Sequence, residues 1–182
     1  MLDRFVHLMF HIDANRINAR QRAPSMNRLE KWHKDGVIML EMCEVSLGEA
    51  ATGSKARAQK ASGYVYSLTY ADTADEKKRI DQIACILFPA GVKDKNQQND
   101  VEIVFNAAKY CRVLVTNDGG SRTQPGGILG NADALSKSVR VRVVSDGDAV
   151  KMVEGAIRNR DERARHIAKK RGIQLPDWVG KD

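Results

Sequence analysis

The densest apolar and aromatic stretch of the chain, Arg4 to Ile12 (RFVHLMFHI), stops at Asp13, which predicts a buried strand with an acid at its C-terminal end. Pro24-Ser25 opens a predicted helix that runs to about Asp35, with Leu29 and Trp32 on one side and Gly36 as its stop. Val37 to Leu40, held between a glycine and an acid, reads as a second buried strand. From about Val45 to Tyr70 the chain is rich in Ala, Lys and Arg, a composition that predicts helix broken at Gly53 and Gly63. Thr73-x-x-Glu76 is a capping-box pattern, and Ile80, Ile83, Ala84 and Leu87 repeat at helical spacing until Pro89. A further helix is expected from about Asn99 to Tyr110 on a stripe of Val101, Val104, Phe105 and Ala108. Asp100 then falls in its first turn, where the helix dipole favours a carboxylate. Val113-Leu114-Val115 predicts a compact strand ending in Thr116-Asn117-Asp118, followed by a glycine-rich loop from Gly119 to Gly130. A short helix near Asp133 to Lys137, a strand Val139 to Val144 and a helix capped by Ser145 complete the pattern, the last with Val150, Val153 and Ile157 on its inner face.

Strands alternating with helices predict an α/β fold, a three-layer α/β/α sandwich with a central, mostly parallel sheet. The expected organisation is one domain over residues 1–157 and a basic C-terminal tail over 158–182, helical at least in part. In such sheets the site lies beyond the carboxyl ends of the strands, which is where Asp13 and Asp118 fall. No run approaches the roughly 18 apolar residues of a membrane span, and Asp3, Arg4, His7 and His11 spoil a secretory leader, so a soluble, cytoplasmic protein is expected. Cys43, Cys85 and Cys111 are odd in number and form no C-x-x-C pair. Neither a disulfide framework nor a structural zinc site is therefore expected, and each thiol reads as a small buried apolar group.

Charge narrows the partner. The net charge is +7 and the isoelectric point about 9.4. The excess is concentrated at Arg158, Arg160, Arg163, Arg165, Lys169, Lys170 and Arg171, opposed only by Asp161 and Glu162, with a second basic block from Arg16 to Lys34. Basic blocks on a chain that also carries many carboxylates point to a polyanion, nucleic acid first among them; the plainer reading is a solvated helical face. Aromatic residues are 5% of the chain, too few for a base-stacking platform of the kind single-strand binders use.

Four acids stand at predicted element ends: Asp13, Glu49, Asp100 and Asp118. Each taken singly could be a solvated carboxylate or a helix cap. Acids at strand ends of one parallel sheet converge on one mouth, and gathered carboxylates repel unless a cation shares them. Oxygen-only ligands suit Mg²⁺ or Mn²⁺, and such an ion beside a basic surface equips a protein to hydrolyse phosphodiesters.

The order of these residues resembles the PIN-domain family of metal-dependent nucleases, which includes toxins of toxin–antitoxin pairs. The matching pieces are His11-Ile12-Asp13-Ala14-Asn15, Val45-Ser46-Leu47-Gly48-Glu49, Asn99-Asp100-x-x-Ile103-x-x-x-Ala107, and Leu114-Val115-Thr116-Asn117-Asp118, over about residues 5 to 150. The resemblance implies a PIN-like fold in which Asp13, Glu49, Asp100 and Asp118 form an acidic catalytic pocket holding Mg²⁺ or Mn²⁺. Asn15 and Thr116 would support it, and Glu44 could replace Glu49 if the second strand ended early. It implies hydrolysis by metal-activated water that leaves a 5′-phosphate, on RNA before DNA, as a toxin or an RNA-processing enzyme. A homodimer and an antitoxin are the protein partners it suggests, and no membrane is involved. Nucleic-acid contacts are expected from Arg16, Arg122, Arg158, Arg163, Lys169 and Lys170. The glycine-rich loop would either bring backbone N–H groups and Arg122 to a phosphate or simply be mobile. The family has no obligatory histidine base, so His7 and His11 are read as strand residues without a role. The alternative class is a PIN-like domain without catalysis that binds RNA or assembles with partners. A haloacid-dehalogenase-type phosphatase also uses a strand-end Asp but needs a second Asp two residues on, where Asn15 stands here.

Overall fold

A computed structural model describes residues 2–17, 20–68, 70–120 and 126–182. Five strands form one parallel sheet: β1 (Met9–Ile12), β2 (Met39–Cys43), β3 (Val65–Ser67), β4 (Val113–Val115) and β5 (Arg142–Val144), in the order β3-β2-β1-β4-β5. The helices are α1 (Pro24–Lys34), α2 (Glu44–Gly53), α3 (Lys55–Ala61), α4 (Ala74–Leu87), α5 (Lys95–Asn106), α6 (Gly127–Gly130), α7 (Ala132–Val139) and α8 (Asp146–Arg171). A 3-10 turn, Ala14–Arg16, follows β1, and a π-helical turn, Ala107–Cys111, extends α5. None of the helices is long and apolar enough to cross a membrane among the described residues.

Successive residues of a strand face opposite sides of the sheet, so a sheet covered on both faces needs apolar residues at every position. Phe10, Ile12, Leu40, Met42, Val115 and Val144 belong to one core with Met26, Leu29 and Trp32 of α1 and Val150, Val153 and Ile157 of α8. Leu114 and Val143 belong to the other, with Ile83 and Leu87 of α4, Val101, Val104 and Phe105 of α5, and Leu135 of α7. These two cores lie between the sheet and the two helical layers of the expected sandwich. The capping box at α4 is present with both its bonds, Glu76 N–H to Thr73 Oγ1 at 3.2 Å and Thr73 N–H to Glu76 Oε2 at 3.2 Å.

Several expectations require correction. The first strand begins at Met9, because His7 adopts a left-handed backbone (φ 57°) that interrupts the regular ladder; His7 is therefore not a strand residue. The second strand continues through Glu41 to Cys43 rather than ending at Leu40, since Glu41 is buried and bonded inside the fold. A short third strand emerges from the stretch expected to be helical, paired with β2 at the sheet edge. Cys43 and Cys111 are buried as expected, but Cys85 is exposed on α4.

Helix α8 runs unbroken through residue 158, and it is anchored rather than free at Arg160 and Asp161. Arg160 is 8% exposed and donates to Asp161 Oδ1 at 2.6 Å and to the Arg4 carbonyl at 2.6 Å. It also pairs with Asp182 Oδ2 at 2.9 Å, and its guanidinium stacks 4.4 Å from the centre of the Trp178 ring. Asp182 pairs with Arg4 as well, so the two ends of the described chain meet on one arginine.

Candidate active site

The site begins at the end of β1. Asp13 leaves the strand, caps the 3-10 turn through Asn15 N–H (3.3 Å), and is 5% exposed. Its Oδ2 accepts from Thr116 Oγ1 at 2.6 Å and from Asn15 Nδ2 at 2.8 Å. Asn15 Nδ2 also donates to Thr116 Oγ1 (3.1 Å), and its Oδ1 accepts the Asn117 N–H (3.1 Å), so one amide ties the ends of β1 and β4 together. Adjacent parallel strands put these two ends side by side, as the Asp13 N–H to Val115 carbonyl bond of 3.1 Å records.

Asp118 follows β4 and is held by backbone donors. Its Oδ1 accepts from Gly120 N–H (3.1 Å), its Oδ2 from Ile128 N–H (2.7 Å), and its own N–H donates to Thr116 Oγ1 (3.0 Å). The described part of the glycine-rich loop thus turns its amides on this carboxylate. Gly127 has φ 54° and lies so close that a Cβ there would come within 2.5 Å of Asp118 Oδ2. Arg122 lies outside the described residues.

Glu49 comes from α2 and Asp100 from α5, and neighbouring Asn99 links them by donating Nδ2 to Glu49 Oε1 at 2.7 Å. Helix α5 starts at Lys95, capped by Asp94, four residues earlier than the apolar stripe suggested. Asp100 therefore sits in the second turn and gains little from the helix dipole, whose effect fades beyond the first turn. Glu44 opens α2 on the exposed side, away from the cavity.

Asp13, Glu49, Asp100 and Asp118 line one cavity of about 300 Å³ with Ala14, Asn15 and Arg57. Arg57 is the residue that sequence reading missed. It rises from α3, capped by Ser54, and donates Nη2 to the Ala14 carbonyl at 2.8 Å, just after Asp13. Its signal in the sequence was only one base in an Ala/Lys/Arg-rich stretch, with nothing to mark the face it occupies.

The electrostatics of the cavity follow from the crowding of its carboxylates. Burial, then the charges of Asp13, Asp118, Glu49 and Asp94, push the Asp100 carboxyl up to about 7. Asp13 is likewise raised by burial, against the bonds from Thr116 and Asn15 that favour its charged form. A carboxyl set whose members oppose one another's ionisation and offers oxygen alone fits a hard divalent cation such as Mg²⁺ or Mn²⁺. The folded pKa of Asp100 lies above the unfolded value of about 3.9, so its contribution to stability is full below that value and is lost as pH rises through about 7. Metal-free protein is thus expected to melt at a lower temperature at about pH 8 than at about pH 5, with Mg²⁺ or Mn²⁺ restoring the loss mainly at the higher pH. Melting curves with EDTA and with metal check this; Asp100→Asn should flatten the metal-free slope.

No family model matches this chain, and no curated protein matches it. Among solved structures, it is similar to the crystal structure of VapBC2 from Rickettsia felis bound to a DNA fragment from their promoter. The match has 17% identity and a TM-score of 0.46 over 76% of this chain and 98% of that chain.

Of the basic residues singled out from sequence, those that are described do not gather at this mouth. Arg16 is beside it, but its Nη1 lies 3.4 Å from Asp146 Oδ2 and its charge is engaged there. Helix α8 starts at the mouth, after β5, and runs back along the sheet until Arg160 meets Arg4 ahead of β1. At about 1.5 Å per residue, exposed Arg163 stands roughly 25 Å from Asp146, with Lys169 and Lys170 beyond it and exposed Arg158 one turn nearer. Among the described residues, the cation that lines the cavity is Arg57.

Proposed function

We propose that this protein is a divalent-metal-dependent nuclease of the PIN type that hydrolyses phosphodiester bonds, with RNA as its substrate. The observation that carries the reading is the meeting of four carboxylates, brought from β1, α2, α5 and β4, in one cavity that also contains an arginine. Asp13, Glu49, Asp100 and Asp118 would hold Mg²⁺ or Mn²⁺, which when bound supplies a water of lowered pKa and offsets charge on the phosphoryl oxygens. Thr116 and Asn15 fix the carboxylate of Asp13, while Asn99 fixes that of Glu49, so the ligand set is oriented before any ion arrives. Asp100, its carboxyl pushed up to about 7, would serve as a ligand in its deprotonated form. The guanidinium of Arg57, fixed on the Ala14 carbonyl, is the donor that grips the phosphate and opposes the cavity's negative charge toward it. Arg158, Arg163, Lys169 and Lys170 would touch only a substrate long enough to follow α8 away from the mouth, adding phosphate contacts without reading bases.

The test is cleavage of single-stranded RNA, structured RNA and DNA with Mg²⁺, Mn²⁺ or EDTA. Metal-dependent cleavage of RNA is the expected result. Salt-sensitive binding of RNA with no cleavage under any metal would replace this reading with that of a binding module. Arg57→Ala is expected to lower kcat/KM about 10- to 100-fold by loosening the phosphate, with metal binding retained. Unchanged kinetics in that variant would remove Arg57 from the assignment.

A further inference from the structure

Beneath the carboxylate cavity, on the same face of the sheet, lies a second set of chemistry-bearing groups. His11 precedes Asp13 by two residues on β1 and pairs in register with Glu41 of β2. Residues two apart on a strand share a face, so the imidazole lies one pleat repeat, roughly 7 Å, below Asp13. Cys111 reaches the same point at the end of the π-helical turn that extends α5. Such turns insert an extra residue into a helix and re-aim the side chains beyond it.

The geometry is that of a ligand set. His11, Glu41 and Cys111 each offer a ligand atom, and these atoms lie within 4.8 Å of one another. His11 Nδ1 is 3.6 Å from Glu41 Oε1, and Cys111 Sγ is 3.0 Å from Glu41 Oε2. All three residues are more than nine-tenths buried, and among the described residues neither ring nitrogen of His11 has a partner at hydrogen-bond distance and angle. An imidazole shut away from water, with its neighbours' donor and acceptor atoms close by but none in hydrogen-bond geometry, is a site where a further group could complete the bonding. Cys43, two residues after Glu41 and so on its face, turns its thiol toward the same imidazole from just outside that 4.8 Å group. A surrounding shell is also in place. Ser67 Oγ donates to Glu41 Oε1 at 2.6 Å, and Ser46 Oγ lies 3.4 Å from Cys43 Sγ.

We propose that His11, Glu41 and Cys111, with Cys43 swinging in as the fourth ligand, bind a structural transition-metal ion of the Zn²⁺ class. Imidazole, carboxylate and two sulfurs are a borderline-soft donor set for a tetrahedral ion, and the sulfurs exclude Mg²⁺, Mn²⁺ and Ca²⁺ as the preferred occupant. Binding forms bonds from the metal to one nitrogen, one oxygen and two sulfurs; both thiol protons leave to solvent. The site ties β1, β2 and the end of α5 together directly under Asp13. Because every ligand is buried, the ion enters as the chain folds. The sequence argued against a zinc site because the cysteines have no close spacing, but here the spacing is made by the sheet register and the π turn.

The experiment is refolding of the chelated full-length chain with Co²⁺, which reports thiolate ligation by an intense near-ultraviolet charge-transfer band, alongside zinc content of protein purified without chelator. The expected result is one zinc per chain, one equivalent of Co²⁺ giving the band, and a higher melting temperature with either metal. Cys111→Ser should weaken cobalt binding on the order of 100-fold and cut the band, and Cys43→Ser should also cut it. Asp100→Asn and Asp118→Asn, which alter only the oxygen cavity, should leave the band intact, so failure here is separable from failure of the nuclease reading. Absence of zinc and of any charge-transfer band in the wild-type chain overturns the proposal, whether or not the cysteine variants fold. A band retained in full by Cys111→Ser overturns it as well.

Discussion

Asp118→Asn is expected to leave the chain folded and to lower metal-dependent cleavage roughly a thousandfold, since an ion's stabilisation of the reacting phosphate is worth several kcal/mol. The two side chains have the same shape, but asparagine carries one acceptor oxygen where aspartate carries two. Both oxygens are in use, one by Gly120 N–H and the other by Ile128 N–H. An amide oxygen can keep the Ile128 bond only by turning its NH2 toward the Gly120 donor. The loss is one backbone hydrogen bond, about 1 kcal/mol, against an electrostatic effect on catalysis several times larger. Cleavage assays in Mg²⁺ and Mn²⁺, beside circular dichroism melts of both proteins, separate the two. Retained metal-dependent activity would remove Asp118 from the ligand set.

Gly127→Ala should be the most damaging change of a single methyl group. The backbone there is left-handed (φ 54°), and the added Cβ would lie 2.4 Å from Gly120 N and 2.5 Å from Asp118 Oδ2. Left-handed backbone costs a non-glycine residue about 1 kcal/mol, and crowding of this kind costs about 1–3 kcal/mol more. Two of the three nearest atoms belong to the Asp118 carboxylate, so the strain is relieved by displacing it. Cleavage should fall by about a hundredfold even where the fold persists, because moving a ligand by about 1 Å is costly to catalysis. Gly130→Ala, where an added Cβ meets nothing within 4 Å, should be close to neutral in both melting temperature and rate. Equal behaviour of the two variants would show that the loop does not press on Asp118.

Reading the sequence succeeded where local pattern and tertiary environment agree. The capping box fixed the start of α4, the strand-end acids fell at one mouth, and the apolar positions of β1, β4 and α5 filled the two cores. It failed where a polar residue was buried or an apolar stripe was shorter than its helix. Glu41 looked like the end of a strand because an acid within an apolar run normally meets solvent, yet here Ser67 and Cys111 satisfy it inside. Helix α5 began with a polar turn, KNQQ, that no hydrophobic spacing could mark, which put Asp100 one turn too early. The short edge strand β3 was hidden in a basic, alanine-rich segment because three residues are too few to show alternation. Arg57 was invisible for a different reason. Its place depends on how α3 packs beside the turn after β1, a relation between segments more than forty residues apart that composition cannot encode.

The position of β1 at the centre of the sheet, between β2 and β4, also sets a clock on synthesis. Strand β2 can pair with β1 as soon as it leaves the ribosome, but the other neighbour of β1 is encoded about a hundred residues later. At roughly 5–20 residues per second, Asp13 waits on the order of 5–20 s for Asp118. Until β4 slots in beside β1, the four carboxylates share no cavity and the nascent chain holds no assembled site. A growing polypeptide of this design therefore cannot close this cavity until β4 has emerged, however early β1 and β2 have paired.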